Sequence, residues 1–100
     1  MYKLRYSPEA IRDLEKVFLD VLNVSRSYET ATGYLGDIKS KIGEQKKHPK
    51  TGTRLIIGDD FTGYYFVKHK AYLSFYRIDE NEVYVVRILP EKSDYMSVLM

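Results

Sequence analysis

The sequence contains no cysteine and no tryptophan, and it has only two histidines, His48 and His69, and three prolines in 100 residues. Without cysteine there can be no disulfide, no thiolate metal site and no cysteine nucleophile. A metal centre would have to gather carboxylates around the two histidines, and no His-x-x-x-His spacing offers one, so neither metal nor cofactor is expected. No apolar run approaches the roughly 20 residues that cross a bilayer, and the amino terminus lacks the basic, apolar, small-residue order of a signal peptide. The expectation is a soluble cytoplasmic protein with no membrane contact. Also missing are an internal repeat, a low-complexity linker, a Gly-rich phosphate loop and a Gly-x-Ser-x-Gly elbow. Finally, the charge is nearly balanced: 16 Lys and Arg against 14 Asp and Glu give +2, which is mild for a dedicated nucleic-acid binder.

What is abundant is tyrosine, ten residues beside four phenylalanines. Its ring packs while its hydroxyl still finds a partner, which suits half-buried sheet surfaces and recognition faces. The chain is long enough for one core and too short for two, so residues 1–100 form a single domain. Tyr2 to Tyr6 alternates large apolar with basic residues, the period of a half-buried strand. Ser7, Pro8 and Glu9 then supply a capping hydroxyl, a preset φ and an acid at the positive dipole end. Ile11, Leu14, Val17, Phe18, Val21 and Leu22 follow at helical spacing, so the first helix runs from Pro8 to about Leu22. Ser27 caps a second helix with an apolar stripe of Ala31, Tyr34, Leu35, Ile38 and Ile42. Gly33, Gly36 and Gly43 each cost it about 1 kcal/mol relative to alanine; they mark either the close approach of another backbone or tolerated surface positions. The run Lys46, Lys47, His48, Pro49, Lys50 closes the helix, because proline disfavours helical geometry in the residue before it.

After Gly52 the period changes. Thr53 to Ile57, Tyr64 to His69, Tyr72 to Ile78 and Val83 to Leu89 read as four short strands separated by turn residues, and short connections make neighbours antiparallel. The predicted fold is α/β of the α+β type: an amino-terminal strand, two antiparallel helices on one face of a small, mainly antiparallel twisted sheet, and a short carboxy-terminal helical tail. An even loop at Glu80 and Asn81 sets Phe75 opposite Val86, Leu73 opposite Ile88 and Ser74 opposite Arg87. Leu73, Phe75, Val86 and Ile88 then form the apolar bed for the helices. Tyr72, Ser74, Tyr76, Val85 and Arg87 share the other face, and a two-residue loop at Lys70 and Ala71 adds Tyr65, Val67 and His69 to it. This cluster is either a recognition surface or an uncovered sheet face that favours amphipathic tyrosines.

The segments YSPEAIRDLEKV, HPKTG, YLSFYRI and VVRILPEKSDY, in that order and with those gaps, resemble the RelE/ParE superfamily of bacterial type II toxins. The resemblance covers nearly the whole chain. It implies a toxin that arrests growth, neutralised by a cognate antitoxin with which it forms a hetero-oligomer. Two mechanisms occur on the fold. RelE-like members cut mRNA on the translating ribosome as endoribonucleases, and ParE-like members inhibit DNA gyrase with no known chemistry of their own. Tyr65 stands where the nucleases commonly have an arginine, whose fixed charge tyrosine cannot supply, and His69-Lys70-Ala71 replaces a turn that usually contains glycine. The ending SDYMSVL looks like the Arg-Asp-Tyr ending of ParE-like members. Together with the mild charge, these departures favour the gyrase inhibitor, with the mRNA endonuclease as the alternative.

If the chain is a nuclease, the resemblance and the residue chemistry point to His69, Arg87, Lys92 and Tyr95 as the catalytic set: a base for the 2′-hydroxyl, cations for the developing charge and an acid for the leaving oxygen. If it is a gyrase inhibitor, Tyr65, Tyr72, Tyr76 and Arg87 form the target-binding face. Plain structural roles stand beside these. Arg87 can equally make a salt bridge across the sheet, His69 can be an exposed strand end, and Asp94 can cap the final turn with Met96, Val98 and Leu99 packing onto the body, while Tyr95 takes a functional or antitoxin-contacting role. The basic run after the second helix invites a nucleic-acid role or serves as a solvated helix end complementing the dipole.

Overall fold

Ser7 starts the first helix in the way its neighbours require. In the computed structural model, which describes residues Met1–Met100, the Ser7 hydroxyl accepts a hydrogen bond from the Ala10 amide at 2.9 Å, and Pro8 opens the helix. The elements are β1 (Lys3–Tyr6), α1 (Pro8–Ser25), α2 (Tyr28–Gly43), 3₁₀ turns at Glu44–Lys46 and Pro49–Thr51, β2 (Thr53–Ile57), β3 (Asp60–His69), β4 (Tyr72–Asp79), β5 (Glu82–Pro90) and α3 (Tyr95–Leu99). Arg26 ends α1 in the left-handed region, donating its amide to the Leu22 carbonyl at 2.8 Å. Ser27 then caps α2 by accepting from Thr30.

The five strands form one sheet in the order β1-β5-β4-β3-β2, with β1 parallel to β5 and every other pair antiparallel. The two helices pack together on one face and α3 lies on the other, which agrees with the fold class expected from the sequence. β3 begins four residues earlier than its apolar run suggests, at Asp60, because Gly58 at φ 61° makes a tight turn that pairs Ile57 with Asp60. Gly33, Gly36 and Gly43 meet nothing within 4 Å of an added Cβ. Of the two readings, tolerated surface positions is the one observed.

The register needs one correction. The Glu80–Asn81 turn pairs Asp79 with Glu82, Ile78 with Val83 and Tyr76 with Val85 as expected. Beyond that point Val86 is an extra residue, a β-bulge, so Phe75 pairs with Arg87, Ser74 with Ile88 and Leu73 with Leu89. α1 holds the bulge in place. The Ser7 amide donates to the Val85 carbonyl at 2.9 Å, its hydroxyl donates to the Val86 carbonyl at 2.8 Å, and the Ile88 amide donates to the Asp13 carboxylate at 2.9 Å.

The faces are also exchanged relative to expectation, except at Ile88, which lies beyond the bulge and packs beneath the helices as expected. The helices cover Tyr65, Tyr76, Val83, Val85 and Ile88, packing on them with Ala10, Leu14, Val17, Ile38 and Ile42. Leu73, Phe75 and Leu89 lie on the opposite face with Leu55, beneath Tyr95, Met96 and Leu99 of α3. A face rich in tyrosine can take the helices because the ring supplies apolar area and the hydroxyl reaches a polar group at the rim. Tyr76, fully buried, places its hydroxyl 2.6 Å from the Pro49 carbonyl and 3.1 Å from Gln45 Oε1. Gly52 sits where any side chain would strike that hydroxyl, so the glycine that a close approach requires is this one, and what approaches it is the Tyr76 ring.

Candidate functional site

Because Val83 and Val85 point under the helices, Tyr84 between them must face the other way. It pairs with Arg5 on β1 and Arg77 on β4, giving a row across three strands on the face that α3 partly covers. The two guanidinium carbons lie 4.1 Å and 4.7 Å from the centre of the Tyr84 ring, within cation–π range. Each arginine also has a carboxylate partner: Arg5 Nε donates to Glu82 at 2.9 Å and Arg77 Nε to Asp79 at 2.9 Å. These hydrogen bonds raise both arginine pKa values above their ordinary range. Tyr64, Val98 and Leu99 complete the wall of a shallow groove of about 450 Å³ beside this row.

Arg87 borders the same groove but is committed elsewhere. Its Nε and Nη2 hold the two Asp13 oxygens at 2.8 Å and 3.0 Å, a bidentate pair with a nearly buried carboxylate. The Asp13 hydrogen bond comes first among the causes that raise the Arg87 pKa. The salt-bridge reading of Arg87 is therefore the one observed, with its partner on α1 rather than across the sheet.

The remaining sequence-predicted residues do not converge. Tyr65 and Tyr76 are 7% and 0% exposed beneath the helices, so their expected place on an open face is corrected. Tyr72 lies half-buried on the same helix side, its hydroxyl 3.4 Å from Asp20, and burial first, then Asp20, raises its pKa. His69 is tucked under α2, edge-on to Tyr34 at 5.2 Å, with Nε2 buried and without a hydrogen-bond partner; Asp37 stands 3.9 Å away, too far to bond. It is neither an exposed strand end nor beside Arg87. Tyr95 belongs to α3 and sets its ring 5.1 Å from that of Phe75, on the face away from His69. Lys92 is exposed in the turn before α3. Asp94 occupies the N-cap position of α3, where it accepts from the Ser97 hydroxyl at 2.7 Å and makes no backbone cap.

No group of three or more His, Cys, Asp or Glu side chains is gathered in a way that could hold a metal ion. No helix is long and apolar enough to cross a membrane. The largest apolar concavity lies away from the groove: Ile11, Leu14, Phe18 and Leu19 of α1, with Tyr6 and Leu35, line about 680 Å³. Ile11 and Leu19 are half exposed there.

The chain matches, over residues 4–95, the family model described as the ParE toxin of the parDE type II toxin–antitoxin system. No curated protein matches it. Among solved structures, a chain of the chromosomal ParDE system of P. aeruginosa superposes with a TM-score of 0.75 at 17% identity, covering 90% of this chain and 96% of that one. A chain of the intact E. coli RelBE complex gives 0.61 at 21% identity, covering 93% and 100%. One from the RelBE2 complex of Mycobacterium tuberculosis gives 0.55 at 21%, covering 92% and 93%.

Proposed function

The chain belongs to the ParE toxin family of type II toxin–antitoxin systems, and on that premise we propose that it arrests growth by binding and poisoning DNA gyrase rather than by cutting RNA. One observation carries this reading. Of the groups that RNA cleavage would recruit, His69 lies under the helices, Arg87 is tied to Asp13, and Tyr95 packs its ring on Phe75 across the sheet from His69. General acid–base catalysis needs a base and an acid within hydrogen-bond reach of one substrate. A site in which the base and the acid lie on opposite faces of a sheet supports recognition instead. The row Arg5, Tyr84, Arg77 and the neighbouring Tyr64 offers what a protein interface uses, aromatic and guanidinium groups on a rigid sheet.

The cognate antitoxin is the partner that the family implies, and the toxin would be held in a hetero-oligomer with it. Its apolar helical or extended segment fits the groove between α1 and α2, where Ile11 and Leu19 are left half exposed. Purified toxin added to gyrase and relaxed plasmid tests the main reading. Loss of supercoiling, with Arg77→Ala and Tyr84→Ala each weakening the inhibition at least tenfold, is the expected result. Full supercoiling, together with in-frame cuts in translated messages after induction, would replace it with ribosome-dependent mRNA cleavage.

A further inference from the structure

The cations are distributed unevenly in both sequence and pairing. Between Lys39 and Lys50 there are five lysines and one acid, Glu44, while the rest of the chain has eleven cations against thirteen acids. Arg5, Arg12, Arg77, Arg87 and Lys68 all form ion pairs, whereas none of the five lysines does. A helix dipole does not account for them. Only Lys41 lies in the last turn of α2; Lys46, Lys47, His48 and Lys50 follow its end at Gly43, on two short 3₁₀ turns and the link between them, and the dipole's influence fades within one turn.

The fold gathers part of this run. Lys46, Lys47 and His48 line an open concavity of about 580 Å³ with Ser40 of α2, and Glu44 is its one acid. The Tyr2 amide donates to the Lys46 carbonyl at 2.9 Å, which anchors the turn to β1. We propose that this basic groove at the end of α2 grips the sugar-phosphate backbone of duplex DNA, so that the toxin holds the DNA its target is acting on as well as the target itself. The choice of duplex DNA rests on the gyrase reading. The choice of backbone contacts rests on the side chains. The walls carry no Tyr, Phe or Arg and a single imidazole, His48, so successive single-stranded bases find no row of rings to stack on and base edges find no bidentate fork. Lysines act as point charges toward phosphate, giving attachment without sequence preference.

Fluorescence anisotropy of a labelled duplex of about 20 base pairs, titrated with the full chain and no gyrase present, tests the proposal. Wild type should bind at low salt. Its affinity should fall with a log–log salt slope about 2 units steeper than that of the double variant Lys46→Gln, Lys47→Gln, because each lost phosphate contact removes about 0.9. That corresponds to roughly 12-fold between 50 and 200 mM salt for two contacts. The matching double Lys→Arg variant should retain binding, and Lys16→Gln, exposed on α1, should leave it unchanged. No binding by wild type, or equal slopes for wild type and the Gln variant, overturns the proposal whatever gyrase does. The gyrase reading is judged by the separate supercoiling assay, so a toxin that inhibits gyrase yet ignores naked DNA loses only this inference.

Discussion

The two faces of the sheet bury neighbouring residues of β4 to the same degree and cover them differently. Phe75 and Tyr76 are both 0% exposed, yet Phe75 lies under the five-residue α3 and Tyr76 under the long α1 and α2. The helix side combines apolar area with the hydrogen-bonded Tyr76 hydroxyl, whereas the buried core of the tail side, Leu55, Leu73, Phe75 and Leu89, is apolar. Covering by long, mutually packed helices leaves little freedom to relax, while a short terminal helix can settle into a gap. Burial alone is therefore a poor guide to how much each face stabilises the fold.

Truncating the two neighbours would break this comparison most directly. Tyr76→Ala is expected to cost about 4–5 kcal/mol, since it opens a cavity among packed helices. It also leaves Gln45 and the Pro49 carbonyl without their partner. Phe75→Ala should cost about 3 kcal/mol, at the low end for a buried ring, because α3 can collapse inward. Urea denaturation of both variants measures the difference; equal losses would mean that α3 is as rigid a cover as the helix pair.

The seam between the faces comes next in size. Asp13→Ala strips the Arg87 guanidinium of its partner and orphans the Ile88 amide, so about 3 kcal/mol should be lost. Arg87→Ala should cost less, because the Ile88 amide still holds the carboxylate, and the double variant should lose less than the sum of the two. Strict additivity in a double-mutant cycle would show that the pair is not coupled.

A pH titration separates the faces without mutation. Burial pushes the Tyr76 hydroxyl up to about 12 from its ordinary value of 10.0. The folded state thus keeps this proton longer than the unfolded chain does. Its contribution is whole below pH about 10 and disappears as pH rises toward 12, a loss on the order of 2–3 kcal/mol. Burial raises Tyr6 and Tyr72 in the same direction. Stability measured at about pH 9 and pH 11.5 should fall for wild type and fall much less for Tyr76→Phe. A variant as alkali-sensitive as wild type would place the titration on the other tyrosines.

How much of this was legible follows from where the determining partners lie. Helix starts were readable because Ser7, Pro8 and Ser27 act on amides within three residues, and the turns at Lys70–Ala71 and Glu80–Asn81 because two-residue loops fix local pairing. The bulge at Val86 was hidden, since its carbonyl is held by Ser7, 79 positions away. The choice of face was hidden for a different reason. Alternation says which residues share a side but not which side receives the helices when both are apolar, and Tyr65 and Tyr76 resemble surface residues until Gln45 and Pro49 are placed beside them. Tyr84 and Arg77 could have been found by alternation from Val83 and Val85. They were masked by the assumption that tyrosine marks the open side.

The smallest effect bears most on function. Tyr95 rests its ring on Phe75 from α3, with no hydrogen bond to another side chain to give up. Tyr95→Ala should cost about 1–2 kcal/mol by exposing part of the tail-side core, and Tyr95→Phe, which keeps the ring, less than about 0.5 kcal/mol. If the protein acts by recognition, Tyr95→Phe should arrest growth like wild type, because packing survives. Were the phenolic proton delivered to a leaving oxygen, Tyr95→Phe would lose toxicity by orders of magnitude at unchanged stability, since general acid catalysis contributes about 10²–10⁴-fold. Growth arrest on induction and the midpoint of urea unfolding, taken on the same variant, separate a ring that packs from a hydroxyl that reacts.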